Sequence, residues 1–283
     1  MSETHPVTDI VLATDMDARC DRALLRAFAL ARRWNARLHI ALVVAGEPRP
    51  SWDDARIAHR AAEDVAALAQ GAVADVSWRV VVRTAPVSDA ICDVAEATGA
   101  QLIVTGAALN EMLGKSRPGQ IIAALIRTAK APVLIAKRPV GDDYRALIAP
   151  TDFSDVSEDA IARGVALFPD SALTILHAYR LPFSAFLGEQ HKKDIVETAM
   201  QQTVGFVHRL GDRLDFPQPP SILLEEGNPD SLLHSVTTEQ PFDLTVLGVH
   251  GAFDLDRHGG DLAGRLLLAS ACDVLAVPAR GAE

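Results

Sequence analysis

One structural unit is written twice along this chain, and that repeat restricts the fold more than any other feature. "DIVLATDMD" (9–17) returns as "RALIAPTDFSD" (145–155), each an apolar run closing on Thr-Asp, at Asp15 and Asp152. "ARLHIALVV" (36–44) returns as "SALTILHAY" (171–179), "AQLIVTGAA" (100–108) as "FDLTVLGVHG" (242–251), and "KAPVLIAKRP" (130–139) as "CDVLAVPAR" (272–280). The order never changes, and the offset stays between 135 and 142 residues. A duplicated domain of about 140 residues is the economical explanation. In a chain of 283 residues each copy is long enough to bury its own core, so the domains are read as 1–140 and 141–283. The linker is "RPVGDDY" (138–144), polar and interrupted by Pro and Gly.

Within each copy, short β-branched runs alternate with amphipathic stretches of helical length, the pattern of a parallel sheet covered by helices. Strands are expected near 9–13, 38–44, 77–83, 102–105 and 133–136, with helices over 19–34, 53–70, 87–98 and 119–129. The second copy repeats the scheme with strands near 145–149, 172–178, 221–225, 243–247 and 273–277. Apolar residues make up 49% of the chain and aromatics only 5%, so the cores are built of Ala, Val, Leu and Ile. The expected fold class is α/β: two tandem doubly wound, Rossmann-like domains with five parallel strands each.

Lys plus Arg total 27 against 37 Asp plus Glu, and a formal charge of -10 repels phosphate backbones and anionic lipid. Nucleic acid is not an expected partner. Cys20, Cys92 and Cys272 are far apart and form no Cys-x-x-Cys pair, which argues against a disulfide framework or a zinc ribbon and suits a reducing cytoplasm. The first residues, "MSETHPVTD", have no apolar core, and no window approaches 18 uninterrupted apolar residues, so neither export nor membrane insertion is expected.

Open α/β sheets bind ligands beyond the carboxyl ends of their strands, where strand order reverses. Asp15 and Asp152 close the first strands, and Gly106 and Gly248 close the fourth. Here "IAPTDFSDVSEDAI", "LTILHAY", "LTVLGVHG" and "GGDLAGRLLLASACDVLAVP" resemble the universal stress protein family, and the resemblance covers nearly the whole chain as a tandem pair. It implies a cytoplasmic stress-response protein that binds an adenine nucleotide, ATP or AMP with Mg²⁺, through a glycine loop leading into a helix N-terminus. Carried over residue by residue, it implies a nucleotide site at Pro150, Thr151, Asp152, Ala178, Gly248, His250, Gly251, Gly260, Asp261 and Leu262 in copy two. A weaker counterpart falls on Asp15, Val43, Gly106, Gly119 and Gln120 in copy one. The resemblance further implies that the last strands of the two copies pair within the chain about a pseudo-two-fold, with a homodimer as a further possibility.

Both copies depart from the family's loop, which reads Gly, two residues, Gly, nine residues, Gly, then Ser or Thr. Copy one has Leu109 at the second glycine and Gln120 at the hydroxyl. Copy two has only eight residues between Gly251 and Gly260, and Asp261 stands where the hydroxyl is expected. A carboxylate there repels phosphate by about 1 kcal/mol at 4 Å in water and by more where water is scarce. Triphosphate is therefore expected to bind weakly unless Mg²⁺ bridges the two. The alternative function is a stress-response scaffold with lapsed phosphate loops.

Competing readings of single motifs are mostly plain ones. Asp254, Asp256, His258 and Asp261 satisfy no fixed metal spacing, and Asp261 as a helix N-cap is preferred to a metal site. "LGKS" (113–116) lacks the glycine a P-loop needs, since position 109 is Leu. In "TDFSDVSED" (151–159), Ser154 or Asp155 is read as a helix N-cap. His39 and His177 fall in strands expected near the crevice, but no Ser or Cys nucleophile is paired with either, so no catalytic residue is assigned and at most slow ATP hydrolysis is expected. "YRLPFSAFLG" (179–188) carries Phe183, Phe186 and Leu187, either a surface for a protein or hydrophobic partner or a lid over its own core.

Overall fold

The computed structural model describes residues 7–16, 20–43, 53–83, 86–107, 109–112, 115–141, 143–181, 188–249 and 262–279. Among these the chain forms two compact units that divide between residues 142 and 143. Unit one contains β1 (Asp9–Thr14), α1 (Asp21–Trp34), β2 (Arg37–Val43), α2 (Asp54–Ala69), β3 (Trp78–Arg83), α3 (Val87–Thr98) and β4 (Leu102–Gly106). It continues through β5 (Leu109–Met112), β6 (Lys115–Pro118), α4 (Gln120–Thr128) and β7 (Val133–Ala136). Its parallel sheet runs β7-β4-β1-β2-β3. Unit two contains β8 (Ala146–Pro150), α5 (Asp155–Leu167), β9 (Ala172–Tyr179), α6 (Glu189–Arg213), β10 (Ser221–Glu226), α7 (Pro229–Glu239), β11 (Leu244–Val249), α8 (Leu262–Ala269) and β12 (Asp273–Pro278). Its order, β12-β11-β8-β9-β10, is that of unit one, again all parallel.

The repeat extends to single hydrogen bonds. In unit one the Gln101 side chain accepts from the N–H groups of Thr8 and Asp9 at 2.9 and 3.0 Å. In unit two Asp243 accepts from Arg145 and Ala146 at 2.8 and 2.9 Å. A polar side chain just before the fourth strand thus satisfies the backbone N–H groups that open the first strand in both units.

Helix boundaries follow from local chemistry. Asp53 caps α2, its carboxylate accepting from the N–H groups of Ala55 and Arg56 at 3.0 and 3.3 Å, and Ser154 caps α5. Asn35 and Gly99 end α1 and α3 in the left-handed region, at φ of 51° and 65°. The 25-residue α6 buries Ala199, Thr203, Phe206 and Leu210, one stripe at helical spacing, and leaves most of its other faces to solvent. It is tied to α5 where Arg213 donates to Glu158, and to Asp159 at 3.3 Å. Among the described residues no helix is long and apolar enough to cross a membrane.

Within the segment read from the sequence as a degenerate phosphate loop, residues 109–112 and 115–118 pair as two antiparallel strands, with Leu109 opposite Pro118 and Met112 opposite Lys115. Two expectations are corrected. Tyr144, assigned to the linker, belongs to the core of unit two. It is 3% exposed, donates its hydroxyl to the buried Asp273 carboxylate at 2.5 Å and meets the Phe168 ring edge-on. Tyr144→Phe removes a donor from a buried carboxylate and is expected to cost about 1–3 kcal/mol, seen as a lower urea midpoint with an unchanged slope. Finally, His39 lies away from the crevice, bonded to Asp9 at the start of β1.

Candidate functional site

In each unit the chain runs outward through one side of the sheet, then returns to build the other, so strand order reverses between the first and fourth strands. The register brings the predicted residues to that reversal. In unit one Thr14 pairs with Leu42 and Ala13 with Thr105. Asp15, Val43 and Gly106, each one residue further on, thus form one row at the strand ends. Gly119 caps α4 through its backbone and Gln120 is the first helical residue, beyond β6.

In unit two the corresponding row borders a cleft of about 250 Å³. Pro150, Thr151, Asp152, Ala178, Gly248 and Leu262, six of the expected nucleotide residues, all line it. Val156, Leu176 and Leu247 supply apolar wall, and Leu262, Ala263 and Leu266 bring the start of α8 to the opposite side. His250, Gly251, Gly260 and Asp261 lie outside the described residues, as do Asp254, Asp256, His258, Phe183, Phe186 and Leu187. Among the described residues no group of three or more His, Cys, Asp or Glu is placed to hold a metal ion.

The floor of the cleft is a turn that reverses the chain between β8 and α5. Phe153 has φ of 65°, and Met16, at the same place in unit one, has φ of 61°. Neither is glycine, and such a conformation costs of order 1–3 kcal/mol unless its surroundings fix it. A threonine hydroxyl does so in both units: Thr151 Oγ1 accepts from the Phe153 N–H at 2.9 Å, and Thr14 Oγ1 from the Met16 N–H at 3.0 Å. In unit two the Phe153 ring also stacks on His177, centroids 4.2 Å apart, and tilts against Phe206 at 5.5 Å. His177 Nδ1 donates to the Thr151 carbonyl at 2.9 Å. The His177 side chain is therefore a packed, hydrogen-bonded support of the turn.

Asp152 projects from this turn and is exposed. Partial burial pushes its carboxyl up, but the Ser154 hydroxyl and N–H donating to it, with a smaller contribution from Ser157, outweigh that and hold it below the ordinary carboxylate value. Both Ser154 donors reach one oxygen, Oδ1, at 2.6 Å from the hydroxyl and 3.1 Å from the N–H. The Asp15 carboxylate in unit one has a different neighbour. Cys20 Sγ donates to its Oδ1 at 3.1 Å, and burial pushes the Cys20 thiol up.

Sequence reading missed two features of the site. One is the Phe153–His177 stack, signalled only by an aromatic after Thr-Asp and a histidine late in the next strand. The other is why position 248 is glycine. A Cβ there would lie 2.6 Å from the Val156 carbonyl oxygen, so the first turn of α5 occupies the space a side chain would take.

The arrangement is an apolar slot with one ionised, hydrogen-bond-accepting carboxylate at its mouth, suited to a flat apolar body bearing hydroxyl or amino donors. No curated protein matches the chain significantly. Among solved structures, one of a universal stress protein from Archaeoglobus fulgidus DSM 4304 is 15% identical, with a TM-score of 0.72 over 98% of this chain and 99% of that one. A functionally unknown protein from Pseudomonas aeruginosa PAO1 is 19% identical, with a TM-score of 0.69 over 98% and 95% of the two chains. At these identities the likeness speaks for the fold. The family model of the universal stress protein family matches twice, over residues 6–137 and again over 143–278, the two stretches that fold into the two units. By that double match the chain belongs to the universal stress protein family, as a tandem member.

Proposed function

We propose that this protein binds an adenine nucleotide, ATP or AMP, in the cleft of unit two, as a stress-response sensor in the cytoplasm. The observation that carries the reading is the convergence of Pro150, Thr151, Asp152, Ala178, Gly248 and Leu262 on one cleft, with the Asp152 carboxyl held below its ordinary value at the mouth. The role is binding; no catalytic group is assigned. The free thiols of Cys20, Cys92 and Cys272 suit a reducing compartment. Unit one is assigned a scaffolding role. The segment after its fourth strand carries two paired strands, 109–112 and 115–118, and its Asp15 Oδ1 is met by the Cys20 thiol in place of a serine hydroxyl. Pairing of the two units through their last strands belongs to the same reading.

Calorimetric titration with ATP and AMP, with and without Mg²⁺, tests the proposal. Wild type is expected to bind AMP, and Asp152→Asn to lose about 10- to 100-fold in affinity, the worth of a hydrogen bond to a charged group. Asp261→Ser should gain affinity for ATP over AMP by relieving repulsion. Absence of binding by wild type and Asp261→Ser up to millimolar nucleotide overturns the reading and leaves the scaffold role for both units.

A further inference from the structure

The cap of α5 and the carboxylate of the cleft share one hydroxyl. Ser154 Oγ donates to Asp152 Oδ1 at 2.6 Å and accepts from the Ser157 N–H at 3.3 Å. Ser157 in turn donates its hydroxyl to the Ser154 carbonyl at 2.8 Å and lies 2.8 Å from the Thr151 hydroxyl. The Asp152 rotamer is thereby fixed to the helix start, with Oδ1 fully engaged by Ser154. Oδ2 is left as the oxygen that a ligand donor meets.

The two copies differ at this point. Aligned on Thr-Asp, "TDMDARC" sets Asp17 opposite Ser154 and Cys20 opposite Ser157. An aspartate serves a helix N-cap as well as a serine does, so the helix start alone does not require serine here. An ionised aspartate has no proton to donate, however, so it cannot orient a neighbouring carboxylate. What Ser154 adds beyond capping is a donor to Asp152.

We propose that Ser154 is a positioning residue for ligand binding in unit two: it locks the Asp152 carboxylate so that Oδ2 faces a hydroxyl or amino donor of the ligand. The inference rests on the nucleotide reading above and names the residue that separates a binding copy from a scaffolding one.

Three variants distinguish positioning from capping in the full-length chain. Ser154→Thr keeps both cap and donor, Ser154→Asp keeps the cap and loses the donor, and Ser154→Ala loses both. Adenosine and AMP are the probes, adenosine being uncharged and so indifferent to the carboxylate that Ser154→Asp adds. Ser154→Asp is expected to melt within a few degrees of wild type and to bind adenosine at least about tenfold more weakly. Ser154→Thr should stay within about threefold of wild type. A readout without ligand is the carboxyl ¹³C resonance of Asp152, assigned against Asp152→Asn. Its titration midpoint should rise in Ser154→Asp and Ser154→Ala and hold in Ser154→Thr. An unchanged midpoint in Ser154→Asp, or wild-type adenosine affinity in that variant, overturns the proposal. A wild-type chain that binds neither probe overturns the nucleotide reading and the ligand role of Ser154 with it, while the titration still decides whether Ser154 governs Asp152.

Discussion

Asp9→Ala is expected to destabilise unit one by about 2–4 kcal/mol, most of it from one stranded histidine. Asp9 is 3% exposed and His39 4%. The Arg79 Nε–H donates to His39 Nδ1 at 2.9 Å, so that nitrogen carries the lone pair and the ring proton sits on Nε2, which donates to Asp9 Oδ1 at 2.7 Å. Removing the carboxylate leaves a buried N–H without its acceptor, a loss of about 1–3 kcal/mol. Arg37, which donates to Oδ2 at 2.8 Å, has a side chain 64% exposed, so water screens that pair and it adds little. The expected ranking in urea denaturation follows: Asp9→Ala well below Arg37→Ala, with Asp9→Asn between them because its amide oxygen still accepts from His39. Burial pushes the Asp9 carboxyl up, yet the bonds from Arg37, His39 and Thr8 prevail and hold it below its ordinary value of 3.8. A carboxyl lowered in the folded state stabilises fully above its unfolded value and ceases to do so as pH falls through the folded one. The gap between wild type and Asp9→Ala should therefore be constant near neutrality and narrow in acid below about pH 4. A gap that widens in acid, or an Arg37→Ala loss as large as that of Asp9→Ala, would refute this account.

The same pair shows where the sequence was legible and where it was not. "DIVLAT" and "RLHIALV" read as buried strands because nearly every residue is apolar, and that reading needs no partner. Asp9 and His39 are the exceptions within those runs, and only the pairing of β1 with β2 shows that they answer each other. Unit two has Ala146 and Thr174 at these places, so comparison of the copies would have flagged both. The row Asp152, Ala178 and Gly248 was legible for the opposite reason: it depends only on where strands end, and parallel strands end together. The pairing of 109–112 with 115–118 was not, because these residues were judged by their departure from a glycine loop. Tyr144 was misjudged because its neighbours are polar, whereas its ring is claimed by Phe168 and Asp273, 24 and 129 residues away.

Gly248→Ala is the second large effect, expected at about 3 kcal/mol, the upper end of what overpacking costs. The added Cβ would stand 2.6 Å from the Val156 carbonyl oxygen, 2.9 Å from its carbon and 3.0 Å from Cγ1. Two of those atoms are backbone in the first turn of α5, so no side-chain rotation relieves the clash and the helix start must move. Gly164→Ala provides the comparison. Its Cβ would meet Val246 Cγ2 at 2.9 Å, a side-chain methyl with some freedom to give, and about 1 kcal/mol is expected. The contrast extends to binding. Displacing the start of α5 carries Ser154 away from Asp152, so Gly248→Ala should weaken adenosine binding as Ser154→Asp does. Gly164→Ala, eight residues beyond Val156 along α5, should lower the melting temperature and leave affinity within about threefold. Gly248 is thus required by packing before any phosphate approaches it. If Gly248→Ala were as stable as wild type and lost only nucleotide affinity, the glycine would serve the ligand alone, and the close approach of α5 to β11 would have to be abandoned as its cause.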